Sequence, residues 1–227
     1  LVEALQSFRR AHPDLPEALA ESCQQRGVHL CTIRDDAYPY LLKEIFSAPP
    51  VLYFRGTLAP EARRVAIVGS RRLSPYGEAL ALEFGEQLAA AGLTVVSGAA
   101  RGIDTRSHRG ALKTGRTVAV LGCGIDVAYP AENRRLLMEI AENGAVISEY
   151  GPGVQPLPAF FPARNRIISG LSLGVVVVEA ASRSGTLITS RLALEQGREV
   201  YAVPGAALSG QSLGCQELVR QGAKPVF

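Results

Sequence analysis

The chain has no C-x-x-C cysteine pair, no histidine spacing suited to a metal, and no apolar run near the roughly 20 residues that span a bilayer. Its four cysteines, Cys23, Cys31, Cys123 and Cys215, therefore read as reduced intracellular thiols, and neither a metal nor a cofactor is expected. The N-terminus lacks the charged-then-apolar pattern of a secretory signal, so the expectation is a soluble, cytoplasmic protein with no membrane partner. Charge of one sign is lacking too. Lys and Arg total 24 against 21 for Asp and Glu, a net charge of +3, too mild to demand nucleic acid by itself. Any basic site must be local. Two nucleotide fingerprints are also missing. Gly69 is followed by Ser70, Arg71, Arg72, Leu73 and Ser74 instead of completing G-x-G-x-x-G, and Gly122-Cys123-Gly124 meets Val127 where the third glycine belongs. No G-x-x-x-x-G-K-[ST] occurs, so NAD and P-loop ATP lose support.

What the chain does have is 227 residues with 47% hydrophobic composition, enough for a sizeable core in one large or two small domains. Leu1 to Arg26 gives two short helical patterns broken at His12-Pro13, and Gly27 closes the second. Strand-like runs follow at Val28 to Ile33 and Val51 to Phe54, separated by the rigid break Ala48-Pro49-Pro50. From Val65 onward, short apolar runs alternate with helical patterns. Strands are predicted at Val65–Val68, Leu93–Val96, Thr117–Leu121, Ala145–Ile147, Gly174–Val178 and Glu199–Val203. Helices are predicted near Tyr76–Ala91, Asp104–Lys113, Glu132–Asn143, Pro162–Leu171 and Leu187–Gln196. This alternation implies right-handed βαβ crossovers and a doubly wound, mostly parallel α/β sheet.

In such sheets ligands bind beyond the C-terminal strand ends. The loops there carry Gly69-Ser70-Arg71-Arg72, Ser97-Gly98-Ala99-Ala100-Arg101-Gly102, Gly122-Cys123-Gly124, the Phe160 to Arg166 approach and Ser184-Gly185-Thr186. Glycine after a strand is ordinary turn chemistry, but glycine, hydroxyl and arginine coinciding at one rim point to an anion or phosphate site. Ser184 and Thr186 also suit plain helix capping. Arginines beside a helix N-terminus oppose its dipole and call for an anion, either an internal carboxylate such as Glu149 or Glu179 or a ligand phosphate. Asp104 and His108 stand four apart and could hydrogen-bond, yet Asp104 is adequately explained as a cap, and no nucleophile elbow accompanies Asp126, Glu149 or Glu179.

The motifs YPYLL, PPVLYFRG, AIVGSRRLSPYG, SGAARGIDTRSH, AVLGCGIDVAYPAENRRL, SEYGPG, FPARNRIISGLSLGVVVVEA, SGTLITSRLALEQGREVYAVPG and GCQELVRQGA occur in this order. In them the sequence resembles the DNA-processing protein A (DprA/Smf) family of bacterial transformation proteins. The resemblance covers about Asp36 to Val226. It implies an extended Rossmann-like domain over residues 36–227, preceded by a partial helical, SAM-like piece over 1–35. It further implies a non-enzymatic protein that binds and protects single-stranded DNA, forms a homodimer and helps load the recombinase RecA. Carried over by motif, the DNA-contacting positions are Ser70, Arg71 and Arg72, with Phe161, Arg164, Asn165 and Arg166; Gly69, Arg101, Ser184, Gly185 and Thr186 complete the expected rim. One of Phe160 and Phe161 is expected to stack on a base. The homodimer is expected near Leu213, Leu218 and Val219. The alternative is a nucleotide enzyme similar to the lysine-decarboxylase-like phosphoribohydrolases, whose PGGxGTxxE mark is only partly matched by Ser182-Arg183-Ser184-Gly185-Thr186, with Glu195 too far along.

Overall fold

Strands that read as continuous apolar runs are buried on both faces, and the computed structural model, which describes residues 15–206 and 208–227, shows why. The first of the two helical patterns, up to Asp14, lies outside the described residues. The elements that follow are α1 (Leu15–Gln25), β1 (His29–Thr32), α2 (Tyr40–Lys43), β2 (Val51–Gly56), β3 (Arg64–Val68), α3 (Pro75–Ala90) and β4 (Thr94–Ser97). Then come α4 (Ile103–Thr114), β5 (Thr117–Val120), a 3-10 turn at Ala131–Asn133 that leads into α5 (Arg134–Asn143), and β6 (Ala145–Ser148). The chain closes with α6 (Phe160–Gly170), β7 (Gly174–Val177), α7 (Thr186–Glu195), β8 (Glu199–Ala202), α8 (Leu213–Arg220) and β9 (Lys224–Pro225).

The strands form one nine-stranded sheet in the order β1-β2-β6-β5-β4-β3-β7-β8-β9. From β6 to β9 every pairing is parallel; β2 joins β6 and β1 joins β2 antiparallel. Alternate side chains along each strand feed opposite layers. Ala66, Val68, Val175 and Val177 pack with Ile167 and Ile168 of α6, Leu171 at its C-terminal end and Ala193 of α7 on one face. Ile67, Val95 and Val176 meet Ala81 and Ala89 of α3 and Ile103 and Ala111 of α4 on the other. Each such Val, Ile or Leu side chain removed from water contributes about 1.5–3 kcal/mol, so the sheet and its two helical layers stabilise one another. Near β5 and β6, α5 turns Leu136, Leu137 and Ile140 inward onto Ala119, Leu121 and Val146.

The sheet begins earlier in the chain than the expected domain boundary. The boundary at residues 35 and 36 falls between β1 and β2, yet His29↔Phe54 and Thr32↔Val51 are cross-strand partners, so the sheet already begins at His29. Strand β2 in turn registers Tyr53↔Ser148 and Gly56↔Ala145, extending the parallel sheet with an antiparallel edge. Of the residues expected near a dimer surface, Leu218 is buried in the core while Leu213 is exposed. Among the described residues no helix is long and apolar enough to cross a membrane.

Candidate nucleic-acid interface

The sheet's winding reverses at β3. From there the chain steps outward through β4, β5 and β6, then returns to lay β7 on β3's other side. Loops leaving β3 and β7 therefore diverge, and a crevice opens beyond their C-terminal ends. A groove of ≈ 640 Å³ occupies that place, lined among others by Ser70, Arg71, Phe161, Asn165, Ser184 and Thr186.

The loop after β3 is a self-contained turn. Ser70 Oγ accepts from the Arg72 amide at 3.1 Å and donates to the Arg72 carbonyl at 2.7 Å, which closes the loop and leaves Arg71 and Arg72 both exposed. Neither makes an ion pair with a carboxylate among the described residues. The loop is latched to its neighbour by Gly102, whose φ of +81° suits glycine and whose missing Cβ would stand 2.2 Å from the Ser70 carbonyl. The Ile103 amide donates to that same oxygen at 3.1 Å.

The next loop, between β4 and α4, carries the glycines and amides expected of an anion seat, and the protein fills that seat itself. Asp104 Oδ2 accepts from the amides of Gly98 at 3.1 Å and Ala100 at 3.3 Å, around Ala99 held at φ +52°. Asn133 Nδ2 donates to the Ala99 carbonyl at 2.9 Å and fastens the loop to the start of α5. Arg101 is exposed but lies against Glu132, with Nη2 3.1 Å from Oε2. These amides and this arginine are already satisfied, which revises their expected part in holding a ligand phosphate.

Helix α6 divides its polar residues. Arg164 is only 4% exposed, so it is a buried strut rather than a rim cation. Its Nη1 donates to the Gly98 carbonyl at 2.9 Å and also to the Val120 carbonyl, tying α6 to the ends of β4 and β5. A Cβ on Gly98 would meet its guanidinium at 2.6 Å. Burial pulls the Arg164 pKa down to about 10, with Asp104 acting in the opposite direction. Arg166, expected to face either a carboxylate or a phosphate, faces a carboxylate: Nη1 and Nη2 clamp Glu149 at 2.8 and 2.6 Å, and Nε donates to the Ser47 carbonyl at 2.9 Å. Its hydrogen bonds to Glu149 hold the guanidinium above its ordinary range. Asn165, between the two, remains in the groove wall.

The aromatic pair also divides. Phe160 stacks on Tyr150 with centroids 4.2 Å apart, whereas Phe161 lines the groove with the Arg71 guanidinium 5.8 Å from its ring centre. At the β7 side, Ser184 Oγ accepts from the Thr186 amide at 3.2 Å and donates to Thr186 Oγ1 at 3.0 Å, shaping the entry to α7 while Gly185 faces open space. Two neighbouring residues carried no expectation. Arg183, exposed and without a carboxylate partner among the described residues, adjoins Ser184-Gly185-Thr186, a placement that signals it in retrospect. Tyr129 borders Phe161, and its only sequence signal was its position after the Gly122-Cys123-Gly124 turn.

The carboxylates considered as acids or bases are occupied elsewhere. Glu179 accepts from the Ser74 amide at 3.1 Å at the head of α3, and Asp126 pairs with Arg26 at 3.0 Å. His108 does not reach Asp104: its Nδ1 lies 2.7 Å from Thr117 Oγ1, which itself donates to the Val95 carbonyl, so His108 Nδ1 carries the proton. Burial, with Arg164 nearby, pushes the His108 pKa down to about 3, which leaves it a neutral core side chain. Glu195, the glutamate weighed for a phosphoribohydrolase, ends α7 and pairs with Arg191 on the surface. Among the described residues no cluster of His, Cys, Asp or Glu is suited to hold a metal.

The family described as DNA recombination-mediator protein A matches residues 29–227. The chain is similar to DNA processing protein DprA of Streptococcus pneumoniae, with 50% identity over 197 residues, 86% of this chain and 70% of that protein. It also resembles the X-ray structure of the Streptococcus pneumoniae DprA, with a TM-score of 0.85 and 46% identity over 91% of this chain and 74% of that one. DNA processing protein A from Helicobacter pylori, whose structure concerns its single-stranded DNA binding mode, is similar with a TM-score of 0.79 and 30% identity, covering 88% and 91% of the two chains.

Proposed function

Because the chain belongs to the DNA recombination-mediator protein A family, we propose that it binds single-stranded DNA in the groove at the β3/β7 switch point. The observation that carries this reading is the pairing of unneutralised cations with an aromatic: Arg71 and Arg72 project from a closed turn beside Phe161, on one groove wall. Arginines and loop amides suit a phosphate backbone, an aromatic face suits a base, and neither needs a particular sequence. The relative from Helicobacter pylori supports the same polymer. In this assignment Gly69, Ser70, Arg71, Arg72, Phe161, Asn165, Ser184, Gly185 and Thr186 touch DNA, joined by Arg183. Arg164 and Arg166 shape the wall from behind. The site binds and does not turn over substrate.

Protection of incoming strands, delivery to RecA and homodimerisation through the α8 region complete the proposal, on the strength of the family membership. The test is a titration with oligo-dT, a duplex and mononucleotides at several salt concentrations. Tight oligo-dT binding that weakens steeply with salt, with duplex and mononucleotides far weaker, is the expected result. Equal affinity for duplex, or a salt-insensitive curve, overturns it.

A further inference from the structure

We propose that Tyr129 is a base-stacking platform that carries the strand past Phe161 toward the β5 side of the rim. The proposal rests on the single-stranded DNA reading above and adds a residue to it. The groove offers few free aromatic faces. Phe160 is engaged with Tyr150, at 4.2 Å and an interplanar angle of 23°. Phe161 is half-buried, with Arg71 5.8 Å from its ring centre and Tyr129 5.2 Å away at 38°. Tyr129, by contrast, is 44% exposed and lines both this groove and the smaller recess beside it, formed with Gly98, Gly122 and Pro130.

A tyrosine kept for structure looks different in the same molecule. Tyr38 is 3% exposed, and its hydroxyl donates to the Pro49 carbonyl at 2.7 Å. The Tyr129 hydroxyl has no hydrogen-bond partner among the described residues, so nothing polar holds the ring out in solvent. The ring lies tilted against Phe161, centroids 5.2 Å apart, and Tyr129 lines the groove wall. A base stacked on Tyr129 would neighbour one at Phe161, in the recess that Arg101 also lines. Stacking of this kind is sequence-tolerant and carries no charge.

The experiment uses the intact chain with Tyr129→Ala, Tyr129→Leu and Tyr129→Phe, titrated with oligo-dT and with an oligonucleotide of the same length containing abasic positions. Tyr129→Ala and Tyr129→Leu are expected to weaken oligo-dT binding about tenfold with an unchanged salt slope, and Tyr129→Phe to retain wild-type affinity. On the abasic strand the four proteins should bind alike. Leucine keeps an apolar cover over Phe161 without a π face, so wild-type affinity in Tyr129→Leu would make the ring a mere cover and overturn the proposal. So would wild-type affinity in Tyr129→Ala, or an equal loss on the abasic strand. Wild-type protein that ignores oligo-dT would instead sink the functional reading, and this inference with it.

Discussion

Two arginine-bearing stretches meet at one groove and do opposite things. Ser70-Arg71-Arg72 closes on its own serine and presents both cations to solvent, whereas Arg164-Asn165-Arg166 turns both of its cations into the protein. The difference comes from the backbone that bears them. A turn beyond a strand end at the switch point has open crevice around its tip. Side chains on α6, packed against the sheet, face the carbonyls ending β4 and β5 and the carboxylate following β6. A similar split runs across the rim loops. The loop after β4 satisfies its amides with Asp104 and its arginine with Glu132, while the loops after β3 and β7 leave Arg71, Arg72 and Arg183 without carboxylates among the described residues. An anion-binding composition is thus not an anion site until the internal anions have been counted.

The largest effect that would break this comparison concerns Arg166. Removing it leaves Glu149, 17% exposed, beside an empty place, and breaking such a pair costs about 3 kcal/mol, the lower end of the usual range because water still reaches part of it. Arg166→Ala is therefore expected to lower the melting temperature, with the double variant Arg166→Ala/Glu149→Ala recovering part of the loss, while the folded fraction binds oligo-dT with the wild-type salt slope. A normal melt with reduced DNA affinity would move Arg166 into the class of Arg71.

Arg71 supplies the converse. Arg71→Ala is expected to melt like wild type, to weaken oligo-dT binding about tenfold at low salt, and to reduce the salt slope by about 0.7, the share of one phosphate on a single strand. Some of the lost affinity reflects Phe161 losing the cation near its face, but that contact has little salt dependence of its own, so the slope separates the two contributions. An unchanged slope would place the strand away from this loop.

Much of this was legible in the sequence, and the exceptions have physical causes. Strands β3 to β7 stand out because burial on both faces makes them largely apolar runs, and α3 to α7 follow because glycine, proline and serine mark their ends. The attachment of β1 and β2 to the sheet was not legible: it depends on Tyr53 lying opposite Ser148, a pairing between distant parts of the chain that local periodicity does not encode. The same holds within the site. Arg166 called for an anion, but the choice among Glu149, Glu179 and a phosphate depends on which strand end lies across from α6, and the structure answers with Glu149 on the β6 side and sends Glu179 to the head of α3. Tyr129 escaped notice because exposure and a neighbour at Phe161 arise only once two distant loops are brought together.

The smallest effect sharpens the comparison on its quiet side. Arg101 and Glu132 are 66% and 51% exposed, so their mutual attraction is screened and their contribution to stability is slight. Hydrogen bonding to Arg101 also holds the Glu132 carboxyl below its ordinary range, and at neutral pH it is a negative charge on a rim assigned to a polyanion. Glu132→Gln removes that charge and frees Arg101 to meet a phosphate. The expected outcome is an unchanged melt, oligo-dT binding about threefold tighter at low salt, and a salt slope steeper by up to about 0.7. If affinity rises and the slope steepens, the strand passes the β4 side and that side is weak because it is self-neutralised. If neither changes, the strand stays between β3 and β7, and the pairing of Arg101 with Glu132 concerns only the surface of the folded protein.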